Sequence, residues 1–256
     1  MRLNYLLKCL QLTAKSLLRN RIILVLLLVI PATFFMVTSY TTTNMPILFR
    51  LASIAEKTVV SIPQREMALI FISLTVTGLL SSFVSLVLIQ NQTTEHRRLI
   101  LCGYKAFEII LSKFILLLLI ILFISVYISM IIQFFFNPQH ILSVTLGFLL
   151  IGFVYGSYGM LIGTILKGEL EGVLFIVLLA NLDVSWLQNP IFYTAAPHKM
   201  FIRSLPSYFP SQVSLVSAFS EESTAHSVWG SIVYGLIFLT IAFVIYAWRM
   251  RIVRSR

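Results

Sequence analysis

A chain of 256 residues that is 59% hydrophobic and only 11% charged, with a mean hydropathy of +0.96, has more apolar surface than water can cover, which excludes an ordinary soluble domain. Its formal net charge of +10 would suggest a nucleic-acid partner in a soluble protein, but the basic residues cluster at the ends of apolar blocks, where they set membrane topology. The composition therefore predicts a protein that lives in the lipid bilayer and has no nucleic-acid partner.

The first 20 residues predict an amphipathic helix, because apolar residues recur on one helical face and basic and amide side chains occupy the other. The apolar positions are Leu3, Leu6, Leu7, Leu10, Ala14, Leu17 and Leu18, and the polar positions are Lys8, Gln11, Lys15 and Arg19. Such a helix lies in the membrane interface, where lysines suit anionic lipids. The alternative is a cytosolic extension of the first spanning helix.

Six apolar blocks follow, each long enough to cross a bilayer, although the fifth is marginal. They cover residues 22–40, 67–90, 112–136, 141–166, 172–188 and 228–248. The blocks predict an all-α polytopic membrane protein with six transmembrane helices. Residues 1–256 are expected to form a single transmembrane domain, because neither an internal repeat nor a second domain is evident.

The positions of the Lys and Arg residues predict the orientation of the spans, because short cytosolic connections carry an excess of these residues. With the N-terminus inside, 14 of the 19 Lys and Arg residues fall on the cytosolic side. The outer side carries Arg50, Lys57, Arg65, Lys199 and Arg203. Both termini are therefore expected in the cytosol. Cys9 and Cys102 then also face the cytosol, where free thiols are expected.

The fourth block contains two small-residue patterns, Gly152-x-x-x-Gly156 and Gly159-x-x-x-Gly163. Small residues four apart allow helix backbones to touch in lipid, where hydrophobic burial no longer drives association. Close packing within one chain and a seam between two subunits both fit this pattern. In either case the sequence predicts that neighbouring helices crowd the fourth span.

Asp183 is the only acidic residue inside an apolar block. A carboxylate at bilayer depth costs about 2.5 to 3.5 kcal/mol on insertion scales, so it normally faces a cavity or a partner. One interpretation makes Asp183 part of a transport path. The other makes it a structural polar site, which caps a broken or re-entrant segment or pairs with Lys199 or Arg203.

The segment between the fifth and sixth blocks, residues 189–227, contains an apolar run that is too short to cross the membrane. Prolines bracket this run, with Pro206 and Pro210 near its start. The pattern predicts short re-entrant or interfacial helices on the outer side, before the last span.

Catalytic and cofactor motifs are not evident. The nearest approach to a phosphate-binding loop, at residues 163–169, ends in Glu169 where the loop needs Lys. The four histidines are scattered over three connections and lack the spacing of a metal site. The sequence therefore predicts a chain that is not an enzyme and holds no ATP, cofactor or metal of its own.

A charged patch separates the second and third blocks and predicts a short cytosolic helix. Thr94 can cap a helix whose first turn holds Glu95, followed by Arg97, Arg98 and Leu99. Gly103 then breaks the helix before the chain re-enters the membrane. A membrane protein without its own energy source would use such a projection as a handle for a cytosolic motor.

This order of elements resembles the membrane subunits of ABC type-2 export permeases. In that family an amphipathic helix precedes six spans, and a coupling helix between spans two and three begins with an acidic residue followed by basic ones. Here those residues are Glu95, Arg97 and Arg98, with Glu108 and Lys113 at the entrance of the next span.

Two further stretches bear on the resemblance. Leu205-Pro206 and Pro210 resemble the family's external pattern before the last span. The proline that is common after the coupling helix is absent, and Cys102-Gly103-Tyr104 stands in its place.

The resemblance implies a permease subunit that exports an amphipathic or hydrophobic cargo, such as a drug, a peptide or a lipid-linked molecule, across a bacterial cytoplasmic membrane. Separate ABC ATPase subunits would bind the ATP and dock on residues 93–103, with Glu95, Arg97, Arg98 and Leu99 as the coupling residues. A second permease subunit, identical or different, would complete the exporter. The alternatives are a self-contained secondary carrier that uses Asp183, and a non-transporting immunity or scaffold protein.

Overall fold

The structure is a computed structural model that describes residues 3–50, 59–90, 104, 106–166, 168–189, 192–193 and 196–254. The predicted coupling helix at residues 93–103 lies outside these residues. The positions of Glu95, Arg97, Arg98 and Leu99 are therefore not described, and neither is that of Cys102.

Helices make up 83% of the structure. Six of the described helices are long and apolar enough to cross a membrane, which confirms the predicted all-α polytopic membrane protein. The spans are α2 (Arg21–Thr41), α3 (Gln64–Gln90), α4 (Ala106–Gln133), α5 (Ile141–Ile165), α6 (Glu169–Leu179, continued by a π-helical segment at Ala180–Leu187) and α9 (Ala225–Arg254). The other elements are α1 (Leu3–Arg19), β1 (Pro46–Arg50), β2 (Val59–Pro63), α7 (Lys199–Arg203) and α8 (Tyr208–Phe219).

The third span differs from its predicted bounds at both ends. It begins at Ala106 rather than at residue 112, and it ends at Gln133 rather than at residue 136. Its first two turns include Glu108 and Lys113, whose side chains are only 2% and 1% exposed. The predicted block begins at residue 112 and so includes Lys113 but not Glu108, because the prediction followed the apolar run. Charged residues can lie inside a packed helix where their neighbours pair with them.

A β-hairpin joins the first two spans, which the sequence analysis missed. β1 and β2 pair antiparallel, with Ile47 opposite Ile62 and Leu48 opposite Ser61. Ile62 is buried and Leu48 is exposed, so the strands alternate between a covered and an open face. Two short runs rich in Ile, Val and Phe, each with a proline at its outer end, were the available signal.

α3 is the central span of the bundle. In the most apolar stretch of α3, 78% of the residues are buried. The corresponding shares are 22% for α2, 28% for the fifth span and 17% for α9. α3 packs most extensively against α5. The first, fifth and sixth spans therefore supply most of the apolar surface that faces outward.

The glycines of the fourth span pack against other helices of the same chain. A Cβ atom at Gly159 would come within 2.3 Å of the Ser82 carbonyl oxygen, and one at Gly152 within 2.5 Å of the Ile121 side chain. The backbones of α3 and α5 therefore touch at Gly159. These contacts correspond to the first of the two predicted alternatives, close packing within one chain.

The bundle has two ends, which we name for their landmarks. The α1 face carries α1, the last turns of α3 and α5 and the first turn of α4. The hairpin face carries the β-hairpin, α7 and α8. α3 ends and α4 begins on the α1 face.

Candidate functional site

Asp183 lies in the π-helical segment Ala180–Leu187, toward the hairpin face, and its side chain is 1% exposed. Its carboxylate accepts four hydrogen bonds. Tyr155 donates through its hydroxyl at 2.7 Å, Gln188 through Nε2 at 3.3 Å and Ser207 through its backbone N–H at 3.0 Å and through its hydroxyl. We call these four residues the Asp183 cluster.

The Asp183 cluster connects three elements. Tyr155 belongs to α5, Asp183 and Gln188 lie in and just after the fifth span, and Ser207 directly precedes α8. The first N–H groups of a helix have no partner within it, and the helix dipole favours a negative charge at that end. Asp183 therefore caps α8 and ties it to the fourth and fifth spans.

These contacts correspond to one of the predicted alternatives, in which Asp183 caps a neighbouring segment. The hydrogen bonds described for its carboxylate do not come from Lys199 or Arg203. Instead, Arg203 Nε donates to the Tyr193 hydroxyl at 2.7 Å, and Lys199 Nζ lies 5.8 Å from the centroid of the Tyr193 ring. A carboxylate has about four lone-pair positions, so a cation could bind Asp183 only by displacing one of its donors.

Short helices occupy the segment before the last span, where the sequence predicted re-entrant or interfacial helices. Ten of the 12 residues of α8 are buried. A Cβ atom at Gly147 would come within 2.8 Å of the backbone nitrogen of Ser214, so α8 lies against the backbone of α5. The placement of α7 and α8 relative to a membrane stays a prediction.

α1 packs on the bundle through one face. Its buried side chains are Leu6, Cys9, Thr13 and Leu17, whereas Lys8 and Lys15 are exposed. α1 contacts α4 more extensively than it contacts α2. The described structure therefore shows an amphipathic helix that lies across the start of the third span.

Beneath α1 lies a second buried group of polar side chains, which we call the α1-face cluster: Cys9, Glu108, Lys113 and Tyr246. Each is 2% exposed or less. Cys9 is a free thiol. Burial and the neighbouring Glu108 carboxylate raise the pKa of this thiol, whereas Lys113 partly offsets them. Cys9 of α1 therefore lies within electrostatic reach of both charges on α4.

Side chains on the α1 face cap the ends of neighbouring spans. Lys113 Nζ donates to the carbonyl of Leu88 in the last turn of α3. Arg249 Nη1 donates to the Thr164 carbonyl at the end of α5 at 3.0 Å. A cation at a helix C-terminus satisfies an unpaired carbonyl and suits the helix dipole.

An amide adds one more link on this face. Gln90, the last residue of α3, donates through Nε2 to the Leu166 carbonyl at 3.2 Å and lies 3.5 Å from the Gly168 carbonyl. This bond joins the end of α3 to the connection between the fourth and fifth spans. Side chains from three helices, α3, α4 and α9, therefore make the hydrogen bonds described on the α1 face.

The structure places the predicted site residues unevenly. It describes Asp183 together with its partners, but it does not describe Glu95, Arg97, Arg98 or Leu99. The sequence analysis missed the burial of Lys113 and Glu108. The available signal was the apolar surroundings of both charges, at residues 107–110 and 114–124, which predict a helix that continues past them.

No protein-family model matches the chain, and no curated protein matches it. The choice among functions therefore rests on the order of elements in the sequence and on the two polar clusters.

Proposed function

We propose that the chain is the permease subunit of an ATP-driven exporter of the ABC type-2 kind, in the cytoplasmic membrane of a bacterium. The α1 face is cytosolic, and separate ABC ATPase subunits dock on residues 93–103. The cargo is an amphipathic or hydrophobic molecule, such as a drug, a peptide or a lipid-linked compound. The observation that carries the proposal is the amphipathic helix α1 packed across the start of the third span, beside both ends of the predicted coupling segment.

The charge distribution supports the orientation. Lys8, Lys15, Arg19 and Arg21 follow one another along α1 and the start of the first span, and the last turns of α9 carry further arginines. An anionic cytosolic leaflet attracts each such residue by about 1 kcal/mol. The basic α1 therefore suits the cytosolic interface, where an ATPase subunit also reaches the protein.

Close packing of the interior supports a second permease subunit. α3, the central span, touches α5 at backbone distance, and buried side chains of α4 fill the space beside Gly152. A cargo path through the middle of one such bundle would require these helices to separate. A path between two subunits, identical or different, requires only their outer faces to move.

Purification in mild detergent tests this proposal. We expect an ABC ATPase to co-purify with the chain and its ATP hydrolysis to be stimulated by the permease. The triple variant Glu95→Ala/Arg97→Ala/Arg98→Ala should insert normally but lose most of that stimulation. Unchanged stimulation would contradict the assignment of the coupling residues.

The same preparation separates the rival functions. A secondary carrier would transport along an ion gradient without an ATPase, and Asp183→Asn would abolish that transport. The four donors around Asp183 argue against this role, because they occupy its oxygens. A scaffold or immunity protein would purify without an ATPase and without transport activity.

A further inference from the structure

We propose that Lys113 is a positioning residue that locks α1, α3 and α4 into one unit, so that movement of the segment between α3 and α4 is passed on to α1. This inference rests on the proposed function in one respect, because an ATPase would supply the movement. The lock itself rests only on the described contacts.

The first half of the lock joins two spans. Lys113 lies in α4 with its side chain 1% exposed, and its Nζ donates to the Leu88 carbonyl in the last turn of α3. An ammonium group withdrawn from water is tolerated only where acceptors hold it. If α3 and α4 moved apart at this end, that acceptor would be lost, so the buried charge favours their moving together.

The second half of the lock involves α1. Cys9 is 2% exposed and lies within electrostatic reach of both Glu108 and Lys113. Tyr246 of α9 also lies within electrostatic reach of Cys9. α1 therefore packs beside the buried charges and contributes to their burial.

The position of the lock suits the transmission of movement. Leu88 lies in the turn from which the chain leaves α3, and Lys113 lies near the start of α4, where the chain returns. A displacement of the intervening segment acts on both partners of the bond. With the bond intact, α3, α4 and the covering α1 shift as one body; without it, each span responds separately.

Cys9 provides a native reporter for this lock. In a Cys102→Ser background, we expect a membrane-permeant maleimide to alkylate Cys9 slowly, because the thiol is buried and burial raises its pKa. Lys113→Met nearly keeps the side-chain length but removes the charge. Because the Lys113 ammonium group lowers the pKa of Cys9, its loss alone would slow alkylation. We expect alkylation to be about tenfold faster nevertheless, because α1 opens more often from the bundle. Lys113→Arg should stay close to the parent protein.

Lys15→Met is the matched control, because Lys15 is an exposed lysine on α1. It should alkylate at the rate of the parent protein. A rate for Lys113→Met that is equal to or below that of Lys15→Met would overturn the lock. If Lys113→Met does not elute as a monodisperse protein, Lys113→Leu, which also lacks a donor, replaces it in the same comparison.

A second arm tests transmission in the complex with the co-purified ATPase. A non-hydrolysable ATP analogue should change the Cys9 alkylation rate in the parent protein and in Lys15→Met. Lys113→Met should bind the same amount of ATPase but lose this response. Lys113→Arg should retain the response. A response that survives in Lys113→Met, or is absent in the parent protein with ATPase bound, would overturn transmission through Lys113. Absence of any ATPase would instead contradict the proposed function, and the nucleotide-free comparison would still decide the lock.

Discussion

Asp183 illustrates how a single charged residue is accommodated inside an apolar chain. Its carboxylate is surrounded by neutral donors from the fourth span, the end of the fifth span and the start of α8. Neutral donors satisfy a carboxylate without a second buried charge, and the N-terminus of α8 adds a favourable dipole. Asp183 therefore joins the fourth and fifth spans to α8 on the hairpin face.

Asp183→Asn tests that role through stability. The asparagine side chain brings an NH2 group to a place where two hydroxyls and two N–H groups already donate. Buried donors would lose their acceptor, and we expect the free energy of unfolding to fall by about 1 to 3 kcal/mol. Thermal unfolding in detergent measures the change, and Glu222→Gln, at an exposed carboxylate, is the control. An unchanged midpoint would show that the hydrogen bonds of Asp183 do not stabilise the fold.

Tyr155→Phe removes one donor and leaves the ring in place. Because Asp183 keeps three other hydrogen bonds, we expect a smaller loss, about 0.5 to 1.5 kcal/mol of unfolding free energy. The double variant with Asp183→Asn should lose less than the sum of the two single losses, because both changes remove the same bond. Strict additivity would show that the Tyr155 hydroxyl does not depend on Asp183.

The two polar clusters also show which of their residues can be predicted from the sequence. Asp183 stands out because it interrupts an apolar block. Its partners Tyr155 and Ser207 do not, because a tyrosine in a span and a serine in a loop carry no local signal of a contact with a distant segment. Lys113 was assigned to the entrance of a span, since only the packing of α1 over α4 shows that its ammonium group is buried.

At the scale of elements, the contact between α3 and α5 organises the bundle. A Cβ atom at Gly159 would lie 2.3 Å from the backbone oxygen of Ser82, and backbone cannot yield as a flexible side chain can. We expect Gly159→Ala to force the two helices apart and to lower the free energy of unfolding by about 1 to 3 kcal/mol.

Gly78→Ala is the matched control for this change. A Cβ atom at Gly78 in α3 would meet the Tyr155 ring at 3.4 Å, an ordinary contact distance, and alanine favours a helix more than glycine does. We expect little loss or a small gain. Thermal unfolding in detergent compares the two variants, and equal midpoints would contradict backbone contact at Gly159.

Periodicity and hydropathy were sufficient to locate the elements that cross the membrane, because about 20 consecutive apolar residues have few other uses. They were not sufficient for the β-hairpin, whose five-residue strands depend on pairing between Pro46–Arg50 and Val59–Pro63. The π-helical end of the fifth span was missed as well. Its wider turn follows no sequence period, and it positions Asp183 against α8.

At the scale of the whole molecule, the packing separates a central span from peripheral ones. α3 is covered by its neighbours, whereas α2, the fifth span and α9 bury few of their apolar side chains. Lipid or a second subunit must cover these outer faces, because water cannot do so without cost. The cytosolic motor that we propose would dock on a segment that joins the central span α3 to α4.

Orientation is the property of the whole molecule on which this arrangement depends. The excess of Lys and Arg on the α1 face predicts that this face is cytosolic. In a protein without native cysteines, Glu222→Cys on the hairpin face should react with a membrane-impermeant maleimide in intact cells. Gln11→Cys on the exposed side of α1 should react only after lysis, although both positions are exposed. The reverse pattern, or labelling of Arg97→Cys in intact cells, would place the coupling segment outside the cell, where no ATPase could drive it.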